Sequence, residues 1–373
     1  MNHRAVVAVG LVVLAGVVSV AAVGGVAGAE HCSFPVSMED TTGTEVTVEE
    51  APERVVTLAP SAAQTMWEIG AKEKVVGVSK YAGYLEGASE KRNVSGGERI
   101  VVAEKVVAAD PDLVIAPNVI QNDTIEQLRS AGITVYRFEE ARSIEGVYEK
   151  VELIGRLTGA CDGAEERVEE MKDRIATVER AVEGQERPDV LYSFFGFTAG
   201  SETFIHEIIE TAGGNNIAAD ANISSYREIS EEIVVDRNPD WIVLNSDDPA
   251  VPGGAAYENT TAVRENQTVV VQIEHINQPA PRIVLAITKL AKAFHPEAYA
   301  AAKATATPTA TATATATATV AATPSETAMG DEATVDESME TTGSTETPGS
   351  SGFGVLTAVV AVVAAVVAVR RRS

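Results

Sequence analysis

The feature of this sequence that most constrains its fold is a segment that occurs twice. Residues 101–115 read VVAEKVVAADPDLVI, and residues 231–243 read EEIVVDRNPDWIV. At a constant offset of 128 residues, Glu104 aligns with Glu232, and Pro111-Asp112 aligns with Pro239-Asp240. Each copy predicts a short apolar helix, a break at Pro-Asp and a buried strand. The chain is therefore expected to contain two structurally equivalent units.

The first unit is predicted to be an α/β lobe over residues 50–140. Ser61 is expected to cap its first helix, and Gly70 is expected to end that helix. The strand at 112–118 is apolar on both faces, as strands of a parallel sheet are. The predicted strands are 54–60, 74–79, 112–118 and 133–138, and the predicted helices are 61–70, 102–110 and 123–132. Alternation of this kind indicates an α/β lobe.

A long helical pattern over residues 143–184 separates this lobe from a second α/β lobe over 188–300. The second lobe is predicted to have strands at 189–195, 241–245 and 268–276, and helices at 201–214 and 281–296. The predicted fold is α/β, with two Rossmann-like lobes joined by a single long helix. A ligand is expected between the lobes, at the carboxyl ends of the strands.

Both ends of the chain indicate export. Residues 1–29 are apolar behind a basic start and predict a signal peptide cleaved near Ala29, with an uncleaved anchor as the alternative. Residues 301–351 are rich in Thr, Ala and acidic residues and predict a disordered stalk. Residues 352–373 predict a membrane helix followed by arginines, which places the lobes on the extracellular face of the cell membrane.

The charge balance excludes one class of function. The chain has 54 acidic and 29 basic residues and a net charge of −25, whereas a nucleic-acid-binding protein needs a basic footprint. We infer a high-salt medium, with an ordinary acidic secreted protein as the alternative. The two cysteines, Cys32 and Cys161, allow either one disulfide or two free thiols.

Residues that carry out catalysis are scarce. None of His31, His206, His275 and His295 occurs at a metal-binding spacing, and no nucleophile elbow, P-loop or dinucleotide fingerprint is present. We therefore expect no enzyme, no catalytic residues, no resident cofactor and no three-histidine metal site. Aromatic residues instead follow two strands, as Tyr81 and Tyr84 in one lobe and FFGF at 194–197 in the other. Aromatic side chains at a cleft mouth bind large flat ligands, although Phe194 or Phe195 also fits a core position.

Four segments together resemble one known family. ERVVTLAPSAAQTMWEIGAKEKVVGVSKYAGY, EKVVAADPDLVIAPN, TFIHEIIETAGGNNIA and SEEIVVDRNPDWIVLN look like the substrate-binding proteins of ABC importers for cobalamin, ferric siderophores and haem. The resemblance covers about residues 50 to 297 and implies the class III periplasmic-binding-protein fold, with little closure on binding. It also implies that Glu104 and Glu232 dock on arginines of an ABC permease/ATPase complex, while the helix macrodipole alone also favours glutamates there.

The ligand set follows from the same resemblance, which is nearest to the cobalamin branch. The candidate contacts are Pro60, Ser61, Lys80, Tyr81, Tyr84, Asn118, Phe194, Phe195, Phe197 and Tyr226. A ferric siderophore would instead use Lys80, Arg142 and Arg227, and haem would use Tyr81 or Tyr84 as an axial ligand. A surface adhesion protein and a metal-ion receptor on the same fold are the alternatives from other classes.

The C-terminal segment resembles the sorting signals of haloarchaeal surface proteins, which are cut and replaced by lipid. Two serines separate Pro348-Gly349 from Gly352-Phe353, where such a signal has Pro-Gly-Phe together. Either the processed or the uncut form is expected to anchor the protein.

Overall fold

The computed structural model describes residues 32–97 and 99–305. Within them, the N-terminal part has strands β1 (Val36–Glu39), β2 (Glu45–Val48), β3 (Val55–Thr57), β4 (Val75–Val78), β5 (Arg92–Asn93), β6 (Leu113–Pro117) and β7 (Thr134–Phe138), with helices α1 (Pro60–Glu68), α2 (Ala103–Val107) and α3 (Asn122–Ser130). Short 3₁₀ helices lie at Lys72–Lys74, Lys80–Ala82 and Ala88–Glu90. The predicted signal peptide, most of the stalk and the C-terminal helix lie outside the described residues.

The first lobe is built on a parallel sheet with the strand order β5-β4-β3-β6-β7. All five residues of β6 are buried, because helices cover both faces of such a sheet, as the apolar run predicted. The hairpin of β1 and β2 is antiparallel and was not predicted. The residues of β1 alternate between partly buried and exposed, so the sequence shows only a weak apolar pattern there.

The prediction of a single helix over 143–184 is wrong. The structure has two helices there, α4 (Ile144–Thr158) and α5 (Cys161–Val182). Gly159 ends α4 in the left-handed conformation, with a φ of 72°, which glycine adopts without a steric penalty. Gly155 allows the two helices to approach closely, since an added Cβ there would lie 2.5 Å from the Cβ of Ala164.

The second lobe follows α5. Its strands are β8 (Asp189–Ser193), β9 (Phe197–Ala199), β10 (Asn215–Asn216), β11 (Tyr226–Glu228), β12 (Trp241–Asn245) and β13 (Thr268–Val271). Its helices are α6 (Phe204–Thr211), α7 (Ile217–Asp220), α8 (Glu231–Arg237), α9 (Ala255–Glu258), α10 (Thr261–Arg264), α11 (Ile273–Ile276), α12 (Ile283–Phe294) and α13 (Pro296–Thr305). A parallel sheet in the order β10-β8-β12-β13 is accompanied by an antiparallel ribbon of β9 and β11.

Two boundaries in this lobe differ from the prediction. The strand expected over 268–276 ends at Val271, and the helix α11 follows it. The helix expected over 281–296 ends at Phe294, because His295 precedes a proline and leaves the helical conformation. Pro296 then starts α13, so residues 301–305 of the predicted stalk are helical.

The repeated segment forms the same joint in both lobes. Each short helix is followed by a left-handed residue, Asp110 with a φ of 50° and Asn238 with a φ of 42°. The aspartate after each proline then binds the start of the neighbouring strand. Asp112 Oδ2 accepts from the amide of Arg54 at 2.9 Å, and Asp240 Oδ2 accepts from that of Asp189 at 2.9 Å. In each lobe, the repeated segment forms the predicted short helix, break and buried strand. Its aspartate then fixes this segment to the neighbouring strand.

One apolar core extends through both lobes. The same buried cluster contains Val55 of the first sheet, Val190 of the second and the inner face of α5. The helix α5 packs against α4, α12 and α13. The structure thus has the predicted two α/β lobes, with α5 as the element between them. Within residues 32–97 and 99–305, no helix is both long and apolar enough to cross a membrane.

Cys32 and Cys161 are joined by a disulfide in the structure, 129 residues apart in sequence. The bond ties the first described residue to the first residue of α5. Because a closed loop of this length restricts the unfolded chain strongly, we expect the bond to stabilise the fold.

The double variant Cys32→Ser with Cys161→Ser is expected to lose about 2–5 kcal/mol of unfolding free energy. Denaturant unfolding of both proteins, with and without a reductant, measures this loss. The reductant should lower the stability of the wild-type protein only. Equal midpoints for the two proteins without reductant would contradict the prediction.

Candidate functional site

The predicted residues of the first lobe follow the ends of β3, β4 and β6. Pro60 and Ser61 are the first two residues of α1, and the cap position is Ala59, so the prediction of Ser61 as the N-cap is wrong. The buried Ser61 hydroxyl instead donates to Glu140 Oε1 at 2.9 Å. Glu140 Oε2 accepts in turn from Lys150 Nζ at 3.0 Å, and Lys150 is only 3% exposed. Ser61 therefore links α1 to the end of β7.

Lys80 and Tyr81 lie together after β4. The ammonium of Lys80 is 5.1 Å from the centroid of the Tyr81 ring and donates to the carbonyl of Gly97 at 2.9 Å. Tyr81 is half-buried. Asn118 follows β6, and its carbonyl accepts from the guanidinium of Arg137. These three residues follow neighbouring strands at the carboxyl edge of the first sheet.

The structure brings four predicted residues of the second lobe into one aromatic cluster, centred on Phe194. The centroid of the Phe194 ring lies 6.5 Å from that of Phe195, 6.0 Å from that of Phe197 and 6.2 Å from that of Tyr226. Phe194 is buried, whereas Phe195, Phe197 and Tyr226 keep partial exposure. Burial raises the pKa of Tyr226 to about 12, so this residue stays a neutral phenol.

Phe195 has an unusual backbone. Phe194 and Phe197 exchange both backbone hydrogen bonds, so Phe195 and Gly196 form a two-residue hairpin tip. Both tip residues are left-handed, with φ values of 47° and 80°. A phenylalanine in this conformation is strained, and such strain occurs where the surroundings impose it, often at functional sites. The hairpin presents Phe195 at the carboxyl end of β8.

Asp248 holds this hairpin tip. Its Oδ2 accepts from the amide of Phe195, and its own amide donates to Asn245 Oδ1 at 2.9 Å. Asn245 Nδ2 in turn donates to the hydroxyl of Tyr192 at 3.4 Å, and Tyr192 donates to Asn277 Oδ1 at 3.0 Å. Tyr192 and Asn245 are fully buried. A connected polar network therefore holds the hairpin tip of the aromatic cluster in place.

Sequence reasoning missed Tyr192, Asn245 and Asp248. Their signal was present, because Asn245 ends the strand WIVLN and Tyr192 lies in DVLYSFF, beside the predicted aromatic residues. The carboxyl ends of neighbouring parallel strands meet at one edge, so polar residues there are expected to contact each other.

A second polar group joins the two lobes through Gln64 of α1. Gln64 Nε2 donates to the hydroxyl of Tyr84 at 2.9 Å and to the carbonyl of Glu274 at 3.1 Å. Gln64 Oε1 accepts from the amide of Arg282 at 2.9 Å. Tyr84 donates to Gln278 Oε1 at 2.8 Å. Tyr84, predicted as a ligand contact, thus has its hydroxyl engaged between the lobes, and burial raises its pKa to about 12.

Charged residues surround this junction. Glu68 of α1 binds Arg282 at 2.7 Å and Arg167 of α5 at 3.0 Å. On the second lobe, burial and the nearby charge of Glu274 raise the pKa of Asp247 above its usual value. Charges of both signs therefore meet at this junction, with Arg282 beside Glu68.

The predicted docking residues lie on the repeated helices. Glu104 is the second residue of α2, and Glu232 is the second residue of α8. Both side chains are exposed. The structure thus places these two carboxylates at equivalent positions, one on each lobe.

The described residues also form a groove away from the predicted ligand contacts. A groove of about 560 Å³ lies beside β7 and α4, and residues such as Asp40, Phe138, Lys150 and Arg156 line it, but no predicted ligand contact does. Within residues 32–97 and 99–305, no three His, Cys, Asp or Glu side chains are grouped to hold a metal ion.

Asp248→Ala is expected to lower the unfolding free energy by about 1–3 kcal/mol, because it leaves the amide of a strained residue without its charged acceptor. Asp247→Ala is the matched control. Burial and Glu274 already disfavour the charge of Asp247, so its removal should be neutral or slightly stabilising. Urea unfolding in molar salt compares the two variants. Equal losses would show that Asp248 has no special role in the hairpin.

Comparisons with known proteins agree with this architecture. Residues 55–274 match the family model described as periplasmic binding protein. A cobalamin-binding protein of Halobacterium salinarum is 49% identical over 277 residues, which cover 71% of this chain and 75% of the relative. An uncharacterized ABC transporter substrate-binding lipoprotein of Bacillus subtilis is 28% identical over 284 residues, covering 71% of this chain and 87% of the relative.

Among solved structures, the periplasmic haem-binding protein of Roseiflexus sp. RS-1 matches with a TM-score of 0.60 and 25% identity, covering 66% of this chain and 99% of that one. The two lobes, the intervening helix and the family match lead to the same assignment. The chain belongs to the periplasmic binding protein family and has the two-lobe fold of its class III type.

Proposed function

We propose that this protein captures cobalamin in the cleft between its lobes and delivers it to the permease of an ABC importer. The observation that carries the proposal is the 49% identity with a cobalamin-binding protein over 71% of the chain. Tyr81 on one lobe and the cluster around Phe194 on the other are the proposed contacts with the corrin ring. The remaining contacts are proposed to be Pro60, Lys80, Asn118, Phe195, Phe197 and Tyr226.

The aromatic cluster suits a ligand of this chemistry. A corrin is a large flat macrocycle with an apolar face, and partly exposed aromatic rings bury such a face efficiently. Phe195 is held at a hairpin tip by the Asp248–Asn245–Tyr192 hydrogen-bond network. A ring that is fixed before binding loses little conformational freedom when the ligand arrives.

The charges of the cleft favour an uncharged ligand. Asp247, Asp248 and Glu274 follow the strands of the second lobe, and their carboxylates would repel an anionic chelate. Lys80 is the cation among the proposed contacts, and its ammonium already interacts with Gly97 and the Tyr81 ring. Cyanocobalamin carries no net charge, whereas haem carries two propionates.

Haem or a ferric chelate is the second candidate, which the haem-binding structural relative favours. A tyrosine ligand to haem iron must reach the metal with its oxygen. The hydroxyl of Tyr84 is bound by Gln64 and Gln278, and its raised pKa disfavours the phenolate. Tyr81 is then the remaining tyrosine for that role.

We also propose that Glu104 and Glu232 dock on basic residues of the permease. Two carboxylates at equivalent positions on two similar lobes match a permease built from two similar subunits. The proposed location is the extracellular face of the membrane, with the signal peptide over 1–29 and the anchor over 352–373.

Purified protein in molar salt is expected to bind cyanocobalamin saturably, as followed by tryptophan fluorescence and by comigration of the coloured ligand. Phe195→Ala and Tyr81→Ala should each weaken binding about five- to tenfold, since each removes an aromatic contact worth about 1–1.4 kcal/mol. Tyr81→Phe is the matched control, because it keeps the ring and removes only the hydroxyl.

The control separates the two ligands. Tyr81→Phe should retain cobalamin binding, whereas it should lose haem binding if Tyr81 ligates the iron. A folded protein that binds haem but not cyanocobalamin would replace the first candidate with the second. Binding of neither would refute both.

The double variant Glu104→Gln with Glu232→Gln is expected to bind cyanocobalamin normally but to reduce its uptake by whole cells severalfold, since two exposed ion pairs worth up to about 1 kcal/mol each are removed. Glu126→Gln with Glu258→Gln is the matched control, with one exposed glutamate per lobe outside the repeat. Equal uptake by the two double variants would argue against docking through the repeat.

A further inference from the structure

Each proposed docking glutamate has an exposed valine beside it. Val107 is 44% exposed and Val235 is 61% exposed, and the repeat makes their positions equivalent. Each valine follows its glutamate by three residues, a spacing that puts both side chains on the same face of a helix. Each lobe therefore presents one carboxylate and one apolar side chain together.

The fold itself does not need these two side chains to be apolar. The inward positions of the same helices are filled by Val106 and Val234, which are both fully buried. Valine is also no better than a polar residue for helix formation. In the part of the chain that the structure describes, the exposed large hydrophobic residues are Val107, Val119, Val235 and Leu285. Two of them thus occupy equivalent positions.

The surroundings of Val235 strengthen this point. Glu231, Glu232 and Asp236 are exposed on the same short helix, so the valine is an apolar side chain within an acidic surface. An acidic surface of this kind serves solubility, to which an exposed valine adds nothing.

We infer that Val107 and Val235 are apolar docking contacts for a permease dimer, each entering an apolar pocket next to the basic residue that pairs with Glu104 or Glu232. This inference rests on the proposed function and adds a second type of contact to it. The partner is a two-fold assembly, because two equivalent surfaces require two equivalent receptors.

Salt explains why both types of contact are needed. The chain has a net charge of −25, which indicates a saline medium. The screening length falls to about 3 Å at 1 M salt, so exposed ion pairs contribute little affinity there. Burial of apolar surface does not suffer from screening, and strongly hydrated salts enhance it. The valines therefore supply docking affinity that persists in salt, while the glutamates supply orientation.

The test uses full-length protein in right-side-out membrane vesicles from source cells that lack the chromosomal copy. Uptake of labelled cyanocobalamin is measured at about 1 M and about 4 M sodium chloride, where screening differs. The variants are Val107→Gln with Val235→Gln, and Glu104→Gln with Glu232→Gln. Leu285→Gln is the control, since Leu285 is also exposed, at 37%, but lies on α12 outside the repeat.

The valine variant is expected to lose uptake about tenfold or more at the higher salt concentration, and less at the lower one, as apolar contacts strengthen with salt. The glutamate variant should show the opposite order. Both should bind cyanocobalamin with wild-type affinity, which excludes misfolding, and Leu285→Gln should transport normally.

Three results would overturn the inference. If the valine variant transports like the wild-type protein at both salt concentrations while the glutamate variant fails, the valines are not contacts, and the proposed function stands. If Leu285→Gln loses as much uptake as the valine variant, the effect is not specific to the repeat. If the wild-type chain supports no uptake, the proposed function and this inference fall together.

Discussion

The apolar core around α5 is the constraint on which the rest of the structure depends. Val55 and Val190 belong to different sheets, yet they lie in one buried cluster with the inner face of α5. Moving one lobe relative to the other would open this close-packed interior. The approach of α1 to α5 is equally tight, since a Cβ on Gly163 would lie 2.2 Å from the carbonyl oxygen of Ile69. The relative position of the two lobes is consequently set by this packed core.

Hydrogen bonds, in addition to the apolar core, fix the two lobes relative to each other. The segment after α11 receives two polar contacts, with Asn277 bound by Tyr192 of its own lobe and Gln278 bound by Tyr84 of the other. Buried polar networks of this type specify one arrangement, because a broken bond leaves a polar group without a partner. The position of the aromatic cluster relative to the first lobe is therefore set by a few neighbouring residues.

The sequence predicted the helices and strands better than it predicted where individual helices start and end. The repeat identified α2, α8 and the strands after them, because an apolar helix, Pro-Asp and a buried strand each have a distinct pattern. The break at Gly159 was missed, since glycine within a helical pattern can either continue or end it, and only the packing of α4 decides. Ser61 resembled a cap by its position, but the helix starts at Pro60 with Ala59 as its cap, two residues earlier, and the Ser61 hydroxyl is free to bind Glu140.

The aromatic residues of the candidate site were predicted, whereas the contacts that hold them in place were not. The aromatic residues 194–197 stood out by composition, and their cluster is present in the structure. The left-handed conformation of Phe195 and its bond to Asp248 depend on residues far apart in sequence, which no local pattern reveals. The same is true of Tyr84, whose partners Gln64 and Gln278 come from different lobes.

The way in which the chain enters and leaves the described domain has a mechanical consequence. The disulfide fastens Cys32 to the first turn of α5, and α13, which ends at Thr305, packs against the same helix. A pulling force transmitted through the residues beyond Thr305 would thus reach α5 first, rather than a strand of either sheet. Tension along the chain would be borne by the packing of α13 on α5 and α12, within the core that both lobes share.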